Sequence, residues 1–251
     1  MRILLLSDIH SNLEALEACL AEAPAHDVTV NLGDLVGYGA SPNEVIEQSR
    51  QLGKFFVRGN HDRVTCGLIG LQDFNPVAGL AALWTRDHVN TENMQWLREL
   101  PQGPIQLEGV GGAQFVHGSP LNEDDYVLSE EDAAAPLLAS SLPLTFFGHT
   151  HLQGGFVSAG NGSEFFQPDY STIGASESCE LALEPEQKYM INPGSVGQPR
   201  DGDWRAAFAS YDTDTRMVTF HRVPYDLRGA QDRILAANLP VRLATRLAAG
   251  K

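Results

Sequence analysis

The chain has 251 residues, 43% of them hydrophobic, which is enough to bury a substantial core. Its formal net charge is −15, so nucleic acid and anionic membrane surfaces are disfavoured as main partners, whereas a small phosphorylated substrate is compatible. The three cysteines, Cys19, Cys66 and Cys179, show no paired spacing, and we expect a protein of the reducing cytoplasm. The apolar start is too short for a signal peptide, and no stretch approaches the ~20 apolar residues that span a membrane.

Strand and helix signals alternate over the first sixty residues. Apolar runs indicate buried strands, and helical spacing of apolar residues separates them. The predicted elements are strand Arg2–Ser7, a helix from Leu13 up to Pro24, strand Val28–Leu32, a helix from Ser41 to about Leu52, and strand Lys54–Val57. This alternation predicts parallel strands joined by right-handed crossovers.

The remaining chain changes character twice. Residues 63–100 are helical and rich in loops, and we interpret them as an insertion within a single domain that spans residues 1–251. Beyond it we predict a hairpin of Ile105–Leu107 with Ala113–Val116, helices Ser129–Ala139, Tyr225–Asn238 and Val241–Ala249, and strands Leu144–Phe147, Gly155–Val157, Glu164–Phe166, Cys179–Leu183, Lys188–Ile191, Ala206–Tyr211 and Met217–Val223. Together the elements predict a layered α/β fold with two packed sheets and helices outside.

Five short polar motifs stand where buried strands are predicted to end. They are Asp8-Ile9-His10, Gly33-Asp34, Gly59-Asn60-His61-Asp62, His117-Gly118 and Gly148-His149-Thr150-His151. Taken singly, each is also typical of a turn, a helix cap or an ordinary histidine. Asp8 and His10 alternate at a strand end, so we expect their side chains to point the same way. Jointly the motifs suit two transition-metal ions that share one carboxylate, clamp a phosphoryl group and activate a water.

The order of these motifs resembles the calcineurin-like metallophosphoesterase superfamily over residues 8–151. The segment Asn192-Pro193-Gly194-Ser195 resembles its small prokaryotic phosphoesterase branch. The resemblance implies an α/β fold, a four-layer αββα sandwich with two mixed β-sheets and a binuclear metal site at strand ends. It also implies that one metal is held by Asp8, His10 and His151. The second metal would be held by Asn60, His117 and His149, and Asp34 would bridge the two. We expect two divalent transition-metal ions, manganese first, with iron, zinc, nickel or cobalt as alternatives.

The same resemblance implies that His61 is no ligand. It would donate a proton to the leaving oxygen or steady the transferring phosphoryl group, which suits a side chain that titrates near neutrality. Asp62 is the second catalytic candidate, either orienting His61 or capping the following helix. Asn60 and His61 are also expected to contact the substrate.

The segment after the Gly-Asp motif departs from the protein Ser/Thr phosphatases. Their pattern Gly-Asp-x-x-Asp-Arg-Gly has Gly37 and Tyr38 here in place of its aspartate and arginine, which disfavours a dedicated phosphoprotein phosphatase. Arg200 is our candidate for a further substrate contact, because guanidinium binds phosphate in a bidentate manner. The alternative is a surface arginine paired with Asp201 or Asp203.

The expected function is hydrolysis of a small phosphate ester, a phosphodiester above all, by attack of a metal-bridging hydroxide. Diadenosine-polyphosphate hydrolysis is one alternative, because Tyr38, Phe74, Trp84 and Tyr126 offer aromatic faces for a nucleobase. Phosphomonoester hydrolysis is another. A non-catalytic scaffold that binds a protein is a different class, disfavoured by the complete ligand set. We expect neither nucleic acid nor membrane as a partner, and the pattern leaves the oligomeric state open.

Overall fold

The chain forms two β-sheets flanked by helices in the computed structural model, which describes residues 1–110, 112–160, 162–172 and 174–251. The elements are, in chain order, β1 (Arg2–Leu6), α1 (Leu13–Glu22), β2 (Val28–Asn31), α2 (Pro42–Leu52), β3 (Phe55–Phe56), α3 (Asn60–Thr65), α4 (Pro76–His88), α5 (Thr91–Arg98), β4 (Ala113–Phe115), α6 (Glu130–Ala139), β5 (Leu144–Phe146), β6 (Gly154–Ala159), β7 (Gly162–Phe166), β8 (Glu177–Ala182), β9 (Tyr189–Asn192), β10 (Ala206–Asp212), β11 (Met217–Val223), α7 (Leu227–Ala236) and α8 (Val241–Leu247). None of the helices in these ranges reaches the length and apolarity that crossing a bilayer requires.

Both sheets are mixed. The first has the strand order β3-β2-β1-β10-β11-β8, and its β1-β2-β3 part is parallel, as the alternating sequence predicts. The second has the order β4-β5-β9-β6-β7, in which β4, β5 and β9 are parallel, β6 runs antiparallel to β9, and β7 runs antiparallel to β6. The carboxyl ends of the parallel strands carry the polar motifs in both sheets.

Strand β1 is apolar throughout because both of its faces are buried. Ile3 and Leu5 pack between the two sheets, in a core that also holds Phe146 of β5. Leu4 and Leu6 face the opposite way, into a core shared with helices α1, α7 and α8. Burial on two faces removes the polar and apolar alternation of a half-exposed strand.

Helix α6 covers the outer face of the second sheet. Its residues Ala133 and Leu137 pack with Phe156 of β6 and Met190 of β9. The layers are therefore helices, first sheet, second sheet and helix, which confirms the predicted four-layer αββα arrangement. Helix α5 packs beside α2 through a fourth apolar cluster that includes Ile46 and Leu97, and it also contacts α3.

The predicted hairpin needs correction. The hairpin expected from Ile105–Leu107 and Ala113–Val116 is reduced to a single antiparallel bridge between Ile105 and Phe115. Strand β4 pairs along its length with β5 in parallel instead, because that pairing extends the buried sheet. Helix α3 begins at Asn60 itself, so the third motif lies in the first turn of a helix.

Candidate metal centre

The loops that follow β1 and β2 remain paired beyond the ends of the strands. The backbone N–H groups of Asp8, His10 and Ser11 donate to the carbonyl oxygens of Gly33, Asp34 and Leu35 at 2.9 to 3.0 Å. The first two polar motifs are thereby held side by side. Their side chains converge because the backbones that carry them are joined by hydrogen bonds.

The backbone in these loops adopts the left-handed conformation. Five of the predicted ligands have φ between 51° and 66°, namely Asp8, His10, Asp34, His149 and His151. The expected strand alternation of Asp8 and His10 is therefore wrong, although their side chains do converge. Such a conformation is uncommon for residues other than glycine and persists where the surroundings determine it, which is typical of functional sites.

One cluster of buried ligand atoms is formed by Asp8, His10, Asp34 and His151. The Oδ1 atom of Asp8 lies 3.3 Å from Nε2 of His151, and Oδ2 of Asp34 lies 3.6 Å from Nε2 of His10. All four side chains are at most 2% exposed. Two carboxylates and two imidazoles at this separation have the donor set of a divalent transition-metal site.

The histidines of this cluster are oriented by backbone carbonyls. Nδ1 of His10 contacts the carbonyl oxygen of Val36 at 3.0 Å, and Nδ1 of His151 contacts that of Gln198 at 2.6 Å. Donation from Nδ1 leaves a lone pair on each Nε2, as in metal-ligating histidines. The two Nε2 atoms are only 3.1 Å apart, so two lone pairs face each other. A cation between them resolves that repulsion, and the residues therefore fit a metal ion.

A second cluster shares Asp34 with the first. It contains Asp34, His117 and His149, and Oδ2 of Asp34 lies 3.5 Å from Nε2 of His117. The Oδ1 atom of Asn60 lies 3.4 Å from the same nitrogen. Nε2 of His149 and Oδ1 of Asp8 are buried without a hydrogen-bond partner in the described residues. Buried polar atoms are normally paired, so these two atoms also indicate a bound cation.

Burial and mutual charge shift the pKa values in the two clusters. Burial raises the pKa of Asp8 and lowers the pKa values of His10 and His151. Burial also disfavours the charged form of Asp34, but the imidazoles around it, His117 first, hold its pKa well below its usual range. Burial likewise opposes a charge on His117, yet Asp34 outweighs it and raises the pKa of His117. A divalent ion beside Asp34 would replace that proton, since a ligating imidazole must be neutral.

His61 lies beside these clusters and belongs to neither. Its ring centroid is 4.8 Å from that of His10, and it also packs against Tyr38 at 4.4 Å and Phe74 at 4.9 Å. Its Nδ1 atom is buried and unpartnered among the described residues, and burial lowers the pKa of the ring to about 4. The ring therefore stands next to the centre as a free hydrogen-bonding group.

Asp62 is fully buried beneath the loop that carries Asp34. Its carboxylate accepts hydrogen bonds from the backbone N–H groups of Gly59 and Asp34 at 2.9 Å, and from that of Val36 at 3.3 Å. The first of these bonds caps helix α3, as one of the two expectations for Asp62 required. Within the described residues its carboxylate makes no hydrogen bond to His61, and it holds the Asp34 loop instead.

The family comparisons agree with this geometry. The family model of the calcineurin-like phosphoesterases matches residues 1–153, a range that includes every side chain of the two clusters. An uncharacterised protein of Methanocaldococcus jannaschii is 35% identical over 253 residues, which cover 99% of this chain and 98% of that protein. The chain belongs to the calcineurin-like phosphoesterase family. It is therefore a metal-dependent phosphoester hydrolase, and both the resemblance and the predicted class of enzyme are confirmed.

Solved structures share the whole fold of this phosphoesterase. A metallophosphoesterase from Sphaerobacter thermophilus is 40% identical, with a TM-score of 0.84 over 100% of this chain and 99% of that one. A hypothetical protein from Pyrococcus horikoshii OT3 is 21% identical, with a TM-score of 0.79 over 100% and 98%. A putative diadenosine tetraphosphatase is 16% identical, with a TM-score of 0.51 over 87% and 92%. The last two likenesses concern the fold alone.

Arg200 of this calcineurin-like phosphoesterase is not a paired surface residue. The neighbouring Asp201 and Asp203 form ion pairs with Arg222 and Arg205. The Nη2 atom of Arg200 instead donates to the hydroxyl of Tyr38 at 3.4 Å. The alternative that paired Arg200 with one of the two aspartates is therefore wrong, and its guanidinium lies beside the aromatic ring that packs on His61.

The Asn-Pro-Gly-Ser segment supports the centre from below. The hydroxyl of Ser195 donates to the carbonyl oxygen of Asp8 at 2.7 Å, and the amide of Asn192 donates to that of Gly148 at 2.8 Å. The sequence analysis missed two other side chains. Ser7 donates to Oδ2 of Asp8 at 2.5 Å, and its place next to a ligand is the signal that could have revealed it. Arg246 lies 5.7 Å from the ring of Tyr38, and no local pattern marks it.

Proposed function

We propose that this phosphoesterase hydrolyses a small phosphodiester at a centre of two divalent metal ions, with water as the nucleophile. Asp8, His10 and His151 would hold one ion, and Asn60, His117 and His149 the other. The observation that carries the proposal is the position of Asp34, whose Oδ2 atom lies 3.6 Å from Nε2 of His10 and 3.5 Å from Nε2 of His117. One carboxylate oxygen thus faces both clusters, as a bridging ligand must.

Metal ions bound at this centre would neutralise the charge of a phosphoryl group and lower the pKa of water. Manganese is the ion we would load first, because mixed oxygen and nitrogen ligands accept it along with iron, cobalt, nickel and zinc. The orphaned Oδ1 of Asp8 and Nε2 of His149 are the atoms that such ions would satisfy.

The chain's own residues supply the remaining chemistry. His61 donates a proton or a hydrogen bond to the leaving oxygen, a role supported by its position beside both clusters and by its unpartnered Nδ1. Arg200 contacts the phosphoryl oxygens, supported by its reach to Tyr38 and its lack of an acidic partner among the described residues. Asp62 acts as a positioning residue, because it holds the Asp34 loop through backbone hydrogen bonds.

A cleft beside the centre supports an ester with two organic groups. It encloses about 450 Å³, and its wall includes Asn60 and His149 together with the aromatic side chains of Phe74 and Tyr126. The cleft offers space for a second ester group next to the metal ligands, which a phosphomonoester would leave unused. Asp73 and Asp124 also lie at its wall, where Arg63 forms an ion pair with Asp124 at 2.7 Å.

Nucleoside-bearing substrates, including dinucleoside polyphosphates, are the second candidate. Tyr126 packs on His149 with ring centroids 3.8 Å apart, and Phe74 packs on His61, so both aromatic rings adjoin the centre. Trp84 stacks on His88 instead, and Tyr38 is buried, so neither offers a face to the cleft. Equal turnover of adenine-bearing and base-free diesters would argue against a nucleoside substrate.

The whole chain is proposed to act as one domain. Residues beyond 153, the end of the family match, supply Ser195 beneath Asp8 and Arg200 beside the centre. Helices α3 to α5 form the insertion that contributes Phe74 and its neighbours to the cleft.

The test is a turnover panel with Mn²⁺-loaded protein. It compares bis(4-nitrophenyl) phosphate, 4-nitrophenyl phosphate and diadenosine tetraphosphate, with metal content measured for every sample. We expect the diester to be preferred and its turnover to fall by about 10²-fold or more in His61→Ala with metal content unchanged. His26→Ala, a histidine on the surface, is the matched control.

Two results would contradict the proposal. Retained turnover in His61→Ala with normal metal content would remove the role of His61. Absence of turnover on all three substrates, with two ions bound per chain, would favour the protein-binding scaffold over these hydrolytic activities.

A further inference from the structure

Two arginine side chains lie on the same tyrosine. The guanidinium carbon of Arg200 is 5.8 Å from the ring centre of Tyr38, and that of Arg246 is 5.7 Å from it. Arg246 belongs to helix α8, 46 positions further along the chain than Arg200. Helix α8 packs on α7 and joins the apolar core that also holds Tyr38, which brings the two arginines together.

Neither guanidinium group has an aspartate or glutamate partner in the part of the chain that the structure describes. Among the described residues, neither Arg200 nor Arg246 forms an ion pair with a carboxylate, although the chain has 32 acidic residues and only 17 basic ones. Nε of Arg200 is buried without a hydrogen-bond partner in those residues. Nε of Arg246 donates to the backbone oxygen of Lys251, and the hydroxyl of Tyr38 also interacts with its guanidinium. Two like charges held together without a counter-ion cost free energy unless an anion binds between them.

The charge of Arg200 affects the pKa of Arg246. Burial lowers the pKa of Arg246, and the charge of Arg200 lowers it further. This mutual repulsion is the quantity that a bound anion would relieve. Phosphate fits such a pair, because two planar guanidinium groups offer several N–H donors in forks that match its oxygens.

The arginine pair adjoins the centre at His10, whereas the cleft adjoins it at His149. Tyr38 packs on His10 with centroids 4.7 Å apart, whereas Tyr126 and the cleft adjoin His149. A substrate with its scissile phosphoryl group on the metal centre can therefore extend in two directions. One direction leads to the aromatic cleft and the other to the arginines.

We infer that Arg200, Tyr38 and Arg246 form a second subsite, which binds a phosphoryl group other than the one being cleaved. The natural substrate then carries at least two phosphoryl groups, linked either directly or through a sugar. This inference rests on the proposed function, since it assumes that the scissile group occupies the neighbouring metal centre. Arg246 is the residue that distinguishes it, because Arg200 is near enough to serve the scissile group as well.

The kinetic test uses substrates that differ in the second phosphoryl group. The 4-nitrophenyl ester of thymidine 5′-phosphate is compared with the same ester bearing a 3′-phosphate, and with diadenosine tetraphosphate, in which phosphates are linked directly. We expect Arg246→Ala to lower kcat/KM for one of the last two substrates about tenfold more than for the first, mainly through KM. Arg246→Lys, which keeps the charge, should restore part of the preference.

Arg242→Ala is the matched control. Arg242 lies one helical turn earlier on α8 and is exposed, so its removal should leave the preference unchanged. An equal loss in Arg242→Ala would indicate the general field of the helix and would overturn the subsite. The subsite would also be overturned if Arg246→Ala left kcat/KM for the 3′-phosphorylated ester and for diadenosine tetraphosphate unchanged relative to the ester without a 3′-phosphate.

A binding measurement separates this inference from the proposed function. In metal-free protein we expect thymidine 3′,5′-bisphosphate or pyrophosphate to raise Tm more than thymidine 5′-phosphate or orthophosphate does, and Arg246→Ala to abolish the difference. If the aryl diester is not hydrolysed but this difference is present, the proposed function fails and the subsite stands. If the diester is hydrolysed and no difference is found, the subsite is rejected.

Discussion

Nδ1 of His61 faces Gly37 so closely that a Cβ atom on Gly37 would lie 2.4 Å from it. Gly37 also has a φ of 91°, in the left-handed region that side chains disfavour. Gly37, which replaces the aspartate of the phosphoprotein phosphatase pattern, therefore packs directly against the imidazole of His61. Any side chain at position 37 must displace His61.

We predict that Gly37→Ala loses activity while it keeps its metal. A shift of about 1 Å in a catalytic group costs on the order of 10²-fold in rate, so kcat should fall by about that factor. Gly67→Ala is the control, since Gly67 has a φ of 78° but nothing within 4 Å of its Cβ position. Wild-type kcat in Gly37→Ala, measured on an aryl diester, would show that His61 tolerates displacement.

Ser7 should matter for metal affinity. Its hydroxyl donates to Oδ2 of Asp8 at 2.5 Å, leaving Oδ1 of the same carboxylate for a metal. Loss of a hydrogen-bonding partner of a ligand typically weakens metal binding about 10- to 100-fold, which we expect for Ser7→Ala. Competition with a chelator measures the dissociation constant for Mn²⁺ in the variant and the wild type. Ser49→Ala removes another buried hydroxyl, unpartnered in the described residues, and should leave the affinity as it is.

Arg222 should be a major contributor to stability. It is 2% exposed, pairs with Asp201, and donates to Oε1 of Gln153 at 3.0 Å. Removing one partner of a buried pair leaves the other charge uncompensated, so Arg222→Leu should lower the free energy of unfolding by about 3 kcal/mol. Urea denaturation tests this. Arg228→Leu breaks an exposed pair with Asp232 and should cost less than about 1 kcal/mol. Equal losses in the two variants would refute the distinction.

Acid should weaken the contact between Glu177 and the segment before β8. The hydroxyl and backbone N–H of Ser171 donate to the Glu177 carboxylate and lower its pKa from 4.5 to about 2, with Arg205 assisting. A carboxyl whose folded pKa is depressed contributes stability above its unfolded pKa and loses it as pH falls through the folded value. Glu177→Gln should therefore destabilise the protein at pH 7 and have progressively less effect between pH 4.5 and pH 2.

Thermal unfolding across that pH range measures the effect of Glu177. Glu186→Gln, at an exposed position in the turn before β9, provides the comparison. A difference between Glu177→Gln and the wild type that persists at pH 2 would mean that the variant acts through packing and not through charge.

The sequence alone was sufficient to predict which side chains meet in the two clusters. Asp8, Asp34 and His117 each follow a short apolar run, and a chain that buries such runs as neighbouring parallel strands must bring their carboxyl ends to one edge. The ligand types, their order and the strands that precede them are all local features. Local features survive in a linear pattern, and the family resemblance rests on the same residues.

Only the tertiary structure decided how each side chain is used. The left-handed backbone at Asp8 and His10, the bonds of Asp62 to the Asp34 loop, and the freedom of Arg200 all depend on segments distant in the chain. Arg246 reaches Tyr38 because α8 packs on α7 and joins the core that also holds Tyr38, a contact that no periodicity encodes. Hydrogen bonds and ion pairs between distant residues are selected by packing of the whole chain, and a pattern of neighbouring residues cannot state which partner is chosen.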